Sequence, residues 1–553
     1  MRQTKWLVGA AAAVGLLAAA AQPASATDPH RGGTLRLLSA SAGGSLDPKI
    51  NYTLQYWQVY RSVYDGLVTF KHAPGSEGFV IVPDLAEEIP QPQNGGKTYV
   101  FKLRKGIKFA DGREVGVKDV VASFQRIFKI STPTAGSFYN GIVGADACLK
   151  TPATCTLDGG VVADEANNTV TINLVAPDAE FFDKLAVPHG VILPADTPAK
   201  DMGNMPIIGT GPYMFAAYDP NKQLKIVRNP YFKMWSAEAQ PDGYPDEIHY
   251  DFGLAGEDQI TAIENGQADW TLDQPPADRL AEIGTKYPSQ VHINTLTAMW
   301  YAPMNVNIPP FNNLKARLAV NYAIDRNAMV KLFGGKVLAQ PACQILPPGF
   351  PGYEPYCPFT KHPGTKWSAP NLAKAKQLVK ESGTAGQKVT IIVQDLPADR
   401  GEGTYLQSVL KSIGYDASVK VISQNIQFTY IQNTNNKVQI SISQWYQDYP
   451  AASDFLNVLL GCNTFHPGSD NSPNIPGFCD KEIQAKMDQA LALGVTDPAA
   501  ANKSWAAIDK LVTDQAPVAV MFTPKYIDFL SKRVGNYVFN DQYYWEQTLS
   551  WVQ

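Results

Sequence analysis

The alternation of strand-like and helix-like segments most constrains the fold of this chain. Residues 99–104 alternate apolar and polar positions after Asn94-Gly95-Gly96, which predicts a half-buried strand. After the turn at Asp111-Gly112, apolar residues between 117 and 128 recur at helical spacing and predict an amphipathic helix. Further stripes of this kind cover residues 314–332, 372–379 and 483–493. Strands and helices that alternate along the whole chain predict an α/β fold.

The first 26 residues predict a cleavable signal peptide. Arg2 and Lys5 precede an apolar run over residues 7–21, and Ala24-Ser25-Ala26 is a small-x-small cleavage site. The run is shorter than the ~20 residues of a membrane-spanning helix, which disfavours an anchor. The expected mature chain begins at Thr27. Since the first cysteine is Cys148, no acceptor for an N-terminal lipid is present, and we expect a soluble periplasmic protein.

Length and charge exclude several classes of protein. A chain of 553 residues is too long for one core, and at about 150 residues per domain it predicts two or three domains. The formal net charge is −4, and no run of Lys or Arg occurs. Nucleic acid is therefore not an expected partner.

Six cysteines predict disulfides in an exported chain. They fall into three neighbouring pairs in sequence: Cys148 with Cys155, Cys343 with Cys357, and Cys462 with Cys479. Six cysteines allow 15 connectivities, and local pairing is the simplest of them. Each local bridge closes a small loop and contributes roughly 2.5–3 kcal/mol on a chain-entropy estimate. A zinc site is disfavoured because no Cys-x-x-Cys occurs.

The segment from Ser443 to Leu456 is the strongest candidate for a binding site. Trp445, Tyr446, Asp448 and Tyr449 place three aromatic rings and a carboxylate within five positions. A carboxylate with apolar walls suits a cleft that holds a cationic group. The alternative is that Trp445 and Tyr449 belong to a core and Asp448 to a solvated loop.

Several motifs occur in an order that resembles one family. They are Arg31-Gly32-Gly33-Thr34-Leu35, Pro83-Asp84-Leu85-Ala86, residues 99–113, Gly209-Thr210-Gly211-Pro212-Tyr213, Arg228-Asn229-Pro230-Tyr231, residues 263–269, residues 316–326 and the Trp445 segment. The two glycines at 209 and 211 suit a tight turn before a strand. The whole set resembles the family 5 extracellular solute-binding proteins, which include the oligopeptide and dipeptide receptors of ABC importers.

The resemblance implies a two-lobed architecture similar to the type II periplasmic binding proteins, with a two-strand hinge and an inserted domain. The expected parts are lobe I (residues 27–69, 201–278 and 523–553), inserted domain II (residues 70–200) and lobe III (residues 279–522). The ligand would lie between lobes I and III, and hinge closure would couple occupancy to shape.

The resemblance also implies a function and site residues. Asp448 would pair with the α-ammonium group of a peptide, and Trp445 would form an apolar wall. Tyr446 and Tyr449 would line the same pocket, and Tyr139 would reach it from the inserted domain. The expected partners are a peptide and the permease subunits of an ABC importer in the inner membrane, with no cofactor, and the receptor would be a monomer. Pro450-Ala451-Ala452 departs from the acid-proline pair of some peptide receptors, which leaves peptide length open.

Two alternatives remain open at this point. The same fold and role could serve an oligosaccharide, an opine, a nickel complex or haem, and Trp235, Trp270, Trp300 and Tyr301 could stack on sugar rings. A secreted hydrolase has little support, because the seven histidines are dispersed and no His-Glu-x-x-His or Gly-x-Ser-x-Gly motif occurs.

Overall fold

A computed structural model describes residues 29–276 and 278–553, so the predicted signal peptide lies outside the described residues. The helices are α1 Leu54–Val63, α2 Val117–Lys129, α3 Ala145–Lys150, α4 Phe181–Ala186, α5 Glu257–Glu264, α6 Leu280–Lys286, α7 Leu314–Ala323, α8 Arg326–Phe333, α9 Leu372–Ser382, α10 Pro397–Ile413, α11 Gln424–Gln432, α12 Ala452–Leu460, α13 Lys481–Gly494 and α14 Pro498–Gln515.

The strands are β1 Thr34–Ser39, β2 Val68–Phe70, β3 Ile81–Pro83, β4 Thr98–Lys102, β5 Val161–Asp164, β6 Thr169–Asn173, β7 Tyr213–Asp219, β8 Gln223–Arg228, β9 Glu247–Phe252, β10 Trp270–Thr271, β11 Val291–Thr295, β12 Ala298–Pro303, β13 Ala339–Pro341, β14 Lys388–Gln394, β15 Asp416–Ile422, β16 Ile440–Ser441, β17 Ser443–Tyr446, β18 Val518–Phe529, β19 Val534–Gly535, β20 Phe539–Asn540, β21 Tyr544–Trp545 and β22 Trp551–Val552.

One five-stranded sheet lies within the segments predicted for lobe I. Its order is β10-β1-β9-β8-β7, with β1 parallel to both of its neighbours and β7, β8 and β9 antiparallel. Leu35 and Leu37 of β1 are buried while Arg36 between them is exposed, because successive side chains of a strand point to opposite faces. The sheet is therefore covered on the face that carries the two leucines.

The inserted segment contains its own antiparallel sheet, β4-β6-β5. The predicted strand at 99–104 is β4, and the predicted helix at 117–128 is α2. Phe124 and Ile127 of α2 are buried in the core, as the helical spacing of the apolar residues predicts.

The predicted lobe III contains a sheet of order β11-β18-β12-β17, with β13 also paired to β18, and a parallel sheet of order β15-β14-β16. The apolar stripe at 314–332 is carried by two helices, α7 and α8. The break lies at Asp325, whose carboxylate accepts hydrogen bonds from the main-chain N–H groups of Asn327 and Ala328 at 2.9 and 3.2 Å. An aspartate at this position starts a new helix.

Strands β11 and β18 are antiparallel to each other and lie near the predicted boundaries between lobes I and III. The first half of β18 pairs with β12, and its second half pairs with β11, where Val291 lies opposite Phe529. Near this end, the indole N–H of Trp270 in the lobe I sheet donates to Asp528 at 2.7 Å. The two-lobed α/β fold is thus confirmed, while the residue boundaries of the lobes stay a prediction.

The glycines at 209 and 211 act through close approach. Neither has a positive φ, so neither glycine is needed for a left-handed backbone conformation. A Cβ atom at Gly209 would lie 1.9 Å from the carbonyl oxygen of Val63, and one at Gly211 would lie 2.5 Å from that of Ser62. Only glycine lets this segment pass against the end of α1.

The structure contains three disulfides. They join Cys148 to Cys155, Cys343 to Cys357 and Cys462 to Cys479, with Cα–Cα distances of 4.5, 4.9 and 4.5 Å. Each joins neighbouring cysteines in sequence, and none joins one lobe to another.

Candidate functional site

Asp448 lies in the loop between β17 and α12. Its side chain is buried, and one carboxylate oxygen accepts a hydrogen bond from the hydroxyl of Tyr52. Its main-chain N–H donates to Asp454 at 2.9 Å, and its main-chain carbonyl accepts from the side-chain amide of Gln542. Every polar group of this residue except one carboxylate oxygen is thereby held in place.

These contacts join the two predicted lobes. Tyr52 precedes α1 in the first segment predicted for lobe I, and Gln542 lies in the C-terminal segment predicted for that lobe, whereas Asp448 lies in the segment predicted for lobe III. The neighbouring Gln447 also donates from its side-chain amide to the carbonyl of Asp541 at 2.9 Å. The lobes are therefore in contact around Asp448, which explains why a loop carboxylate is buried.

A second buried acid, Asp454, lies beside Asp448. Burial raises the pKa of Asp448 to about 7, and burial and the charge of Asp448 hold the pKa of Asp454 well above its usual range. One carboxylate oxygen of Asp454 has no hydrogen-bond partner among the described residues. No Lys, Arg or His in residues 29–276 and 278–553 forms an ion pair with either acid. Two buried carboxyl groups without a cation form a site that favours a positively charged ligand.

Trp445 forms one wall of this site. Along β17, Ser443 and Trp445 are buried on one face, while Gln444 and Tyr446 point to the other. The ring of Trp445 lies edge-on to that of Tyr52, with centroids 5.5 Å apart. Its indole N–H has no hydrogen-bond partner within the described part of the chain, so it is available to an acceptor on a ligand.

Tyr449 lies behind Asp448 and contacts the inserted domain. Its ring packs at 5.3 Å on Phe138, and its hydroxyl shares a hydrogen bond of 3.0 Å with Ser453. Ser453 in turn donates to the carboxylate of Glu180. Tyr449 is fully buried, and its contacts join lobe III to the inserted domain.

The other two predicted site residues, Tyr446 and Tyr139, contact different parts of the chain from Trp445 and Tyr449. Tyr446, on the opposite face of β17, packs at 5.6 Å on Trp300 and at 6.1 Å on Tyr544. Tyr139 is fully buried, and its hydroxyl donates to the carbonyl of Lys184 at 2.9 Å. Burial and, to a lesser degree, the charge of Asp448 raise the pKa of Tyr139, so its ring lies near the site although its hydroxyl already has an acceptor. A ligand role for these two residues stays a prediction.

The sequence reasoning did not single out several residues of this site. Asp454 follows Asp448 by six positions and lies in the first turn of α12, a helix in which every residue is buried. An acid in such a helix is a signal that local reading could have used. Tyr52, Tyr543 and Tyr544 come from distant segments that offer no comparable signal. The hydroxyls of Tyr543 and Tyr544 are buried and lack partners among the described residues.

The aromatic residues considered for sugar stacking have other roles. The indole N–H groups of Trp235 and Trp270 donate to the buried carboxylates of Asp84 and Asp528. Trp300 and Tyr301 are buried in β12. Trp270, Trp300 and Tyr301 therefore offer no exposed stacking surface, while Trp235 is partly buried.

The architecture and the interlobe site agree with the comparisons to known proteins. The family described as bacterial extracellular solute-binding proteins, family 5, matches residues 80–466. The chain belongs to this family. Proteins of family 5 bind solutes outside the cytoplasm and hand them over for transport. This chain is therefore a binding protein and not an enzyme. In the part of the chain that the structure describes, no helix combines the length and the hydrophobicity that crossing a membrane requires.

Individual relatives are distant but cover nearly the full length. The chain is 24% identical to the probable deoxycholate-binding periplasmic protein YgiS of Escherichia coli, over 97% of this chain and 96% of YgiS. It is 26% identical to di/tripeptide-binding protein 2 of Pseudomonas aeruginosa, over 94% and 95% of the two chains. A structure of the murein tripeptide binding protein MppA of Escherichia coli matches with a TM-score of 0.79 and 23% identity, over 94% and 98% of the chains. For the unliganded open form of MppA, the TM-score is 0.60.

Proposed function

We propose that this protein is the periplasmic peptide receptor of an ABC importer. It captures short peptides between lobes I and III and delivers them to permease subunits in the inner membrane. Asp448 and Asp454 together bind the α-ammonium group of the peptide.

The observation that carries this proposal is the pair of buried carboxyl groups without a cation. An α-ammonium has three N–H donors, and the two neighbouring carboxyl groups offer it acceptors, among them the oxygen of Asp454 that has no partner among the described residues. A buried charge is stable only when it is paired, so such a site binds a cation far better than a neutral group or an anion.

The walls of the site suit the rest of a peptide. Trp445 and Tyr52 provide an aromatic surface for the first side chains, and Tyr449 packs behind them. The free N–H of Trp445 and the free hydroxyls of Tyr543 and Tyr544 can bond the peptide backbone. Recognition through the backbone gives affinity with little dependence on side chains, as in strand addition. The names of di/tripeptide-binding protein 2 and of the oligopeptide-binding protein OppA, another relative at 25% identity, support the same ligand class.

Deoxycholate is the alternative suggested by the relative YgiS. Deoxycholate is an anion, and its carboxylate would enter a site whose two buried acids have no compensating cation in the described chain. The electrostatics of the site therefore favour the peptide over the bile salt.

The sequence supports the remaining parts of the proposal. A signal peptide ending at Ala26, with no cysteine near the expected start at Thr27, points to a soluble periplasmic protein without a lipid anchor. A monomer suits a receptor that diffuses to its permease.

Calorimetry with Ala-Ala-Ala, N-acetyl-Ala-Ala-Ala and deoxycholate tests this function. We expect the free tripeptide to bind and the acetylated one to bind at least about 30-fold more weakly, because acetylation removes the buried cation. At 100 times its Kd, a peptide should add about 2.7 kcal/mol of stability in a melting experiment. Tighter binding of deoxycholate than of the free tripeptide would overturn the proposal.

A further inference from the structure

We infer that Asp399 and Glu402 form a second cation subsite, which takes the basic side chain of a bound peptide. The receptor then selects peptides that contain Lys or Arg. This inference rests on the proposed peptide-binding function and adds a side-chain preference to it.

The two acids lie on the inner face of the first turns of α10. The buried positions of this helix, including Asp399, Glu402, Gly403 and Leu406, face the parallel sheet. A Cβ atom at Gly403 would lie 2.6 Å from a methyl group of Val393, so α10 packs closely on β14. Because α10 starts three residues after β14 ends, the acids lie at the carboxyl edge of that sheet. Ligands of open α/β sheets bind at this edge.

Glu402 is a buried ionisable residue whose carboxyl group has no hydrogen-bond partner among the described residues. Its side chain is 1% exposed, and neither carboxylate oxygen has a hydrogen-bond partner among residues 29–276 and 278–553. Asp399 is 5% exposed and accepts one hydrogen bond, from the side-chain amide of Gln444 at 3.2 Å. Burial raises the pKa of Asp399 to about 7, and burial and the charge of Asp399 hold the pKa of Glu402 well above its usual range.

Another buried acid, Asp528, shows how a carboxylate that serves the fold is hydrogen-bonded in this chain. Asp528 accepts hydrogen bonds from Trp270, Tyr537 and Asn294 at 2.7, 2.6 and 3.1 Å. A carboxylate that serves the fold is surrounded by donors, since an unpaired one costs several kcal/mol. Glu402 has none within the described residues, so its partner is a molecule outside the chain.

The subsite lies beside the segment that carries Asp448. Gln444, which donates to Asp399, and Tyr446 lie on the same face of β17, and Asp448 follows Tyr446 by two positions. The ring of Tyr446 packs on that of Tyr544 with centroids 6.1 Å apart, and the hydroxyl of Tyr544 has no partner among the described residues. These two rings form an aromatic path beside Gln444 and Asp399.

This path and its acidic end suit a lysine or arginine side chain. The apolar stem can run along the rings of Tyr446 and Tyr544, and the charged end can reach the two carboxyl groups. A peptide carboxylate would be repelled there. A metal ion is not the natural occupant, because no group of three or more His, Cys, Asp or Glu able to hold one occurs in the described chain.

Matched tripeptides test the subsite on the wild-type protein. Calorimetry compares Ala-Lys-Ala with Ala-norleucine-Ala, and Ala-Ala-Lys with Ala-Ala-norleucine, because norleucine keeps most of the stem and removes the charge. We expect the lysine peptide to bind about 10- to 100-fold more tightly in at least one pair. Equal binding in both pairs would overturn the subsite and leave the proposed peptide function standing. Absence of binding by all four peptides would overturn the proposed function and the subsite with it.

Variants locate the preference. Glu402→Gln should reduce the lysine preference to within about 3-fold while the norleucine peptide keeps its affinity, since only the partner of the basic group is lost. Asp395→Asn is the matched control, because Asp395 is an exposed acid near the same helix start and is paired with Arg400. A preference that survives in Glu402→Gln, or one that disappears in Asp395→Asn, would contradict the assignment. The wild-type comparison decides the question even if a variant folds poorly.

Discussion

Replacing Asp448 with Asn should have opposite effects on stability and on binding. Burial raises the pKa of Asp448 from 3.8 to about 7. At 1.36 kcal/mol per pKa unit, this corresponds to roughly 4 kcal/mol by which the ionised group destabilises the empty folded protein. Asparagine resembles the protonated acid: its carbonyl oxygen can still accept from Tyr52, and its amide can donate to the free oxygen of Asp454. The variant therefore removes the charge and keeps the contacts.

The sign of the effect depends on pH. The folded-state pKa of Asp448 lies above the unfolded-state value, so its contribution to stability is fully present below about pH 4 and is lost as the pH rises through about 7. At pH 4, the wild type and Asp448→Asn should melt at nearly the same temperature. At pH 8, the empty variant should melt roughly 2–6 °C higher, because only the wild type then carries the buried charge.

Differential scanning fluorimetry at the two pH values measures this effect, with Asp395→Asn as the exposed control. In calorimetry at pH 8, Asp448→Asn should lose roughly 2–5 kcal/mol of peptide affinity. The loss of affinity caused by N-acetylation of the peptide and the loss caused by the substitution should not add, since both remove the same ion pair. A variant that melts at or below the wild type at pH 8, or that binds free and acetylated peptides as the wild type does, would refute the role of Asp448 as a buried counter-ion.

Three further predictions use the same structure. Peptide affinity should rise by up to about tenfold per pH unit between pH 5.5 and 7, because ammonium binding requires ionised Asp448; calorimetry across this range that shows no change would contradict the raised pKa. The melting temperature of the empty Glu402→Gln variant relative to the wild type should rise as the pH rises, since burial disfavours the ionised form of Glu402 and the variant cannot ionise; a variant that melts below the wild type at every pH would show that Glu402 supports the fold. Non-reducing peptide mapping should find three local disulfides, each worth roughly 2.5–3 kcal/mol, and a crosslink between two different pairs would refute the connectivity: Cys148–Cys155, Cys343–Cys357 and Cys462–Cys479.

Local patterns predicted individual elements because the determinants of those elements are local. The apolar spacing after residue 116 is enough to predict α2, since one stripe of the helix packs into the core. The stripe at 314–332 continues across the break between α7 and α8, so apolar spacing alone does not show where one helix ends and the next begins. The hydrogen bonds by which Asp325 caps the start of α8 appear only in the structure.

The candidate site was only half accessible from sequence. Trp445 and Asp448 lie close together in the chain, so their composition alone indicated a binding segment for a cation. Tyr52 donates to Asp448 across a separation of 396 residues, and no local pattern predicts such a contact. Glu402 could not be predicted for a related reason. A glutamate in the first turns of a helix is usually exposed to solvent, and the burial of Glu402 follows from the packing of α10 on β14.

The unpartnered polar groups of the cleft also explain how occupancy is linked to shape. The indole N–H of Trp445, one oxygen of Asp454 and the hydroxyl of Tyr544 are buried without partners in the described chain. Each such group costs about 1–3 kcal/mol while the lobes are together and the cleft is empty, and water relieves this cost when the lobes separate. A bound peptide supplies partners for the same groups, so it stabilises the closed arrangement selectively. Three groups at this cost approach the ≈ 5.5 kcal/mol that moves a two-state equilibrium from 1:99 to 99:1. If these groups bind the ligand as we propose, they also disfavour closure without it, and a permease that recognises the closed form would receive loaded receptor.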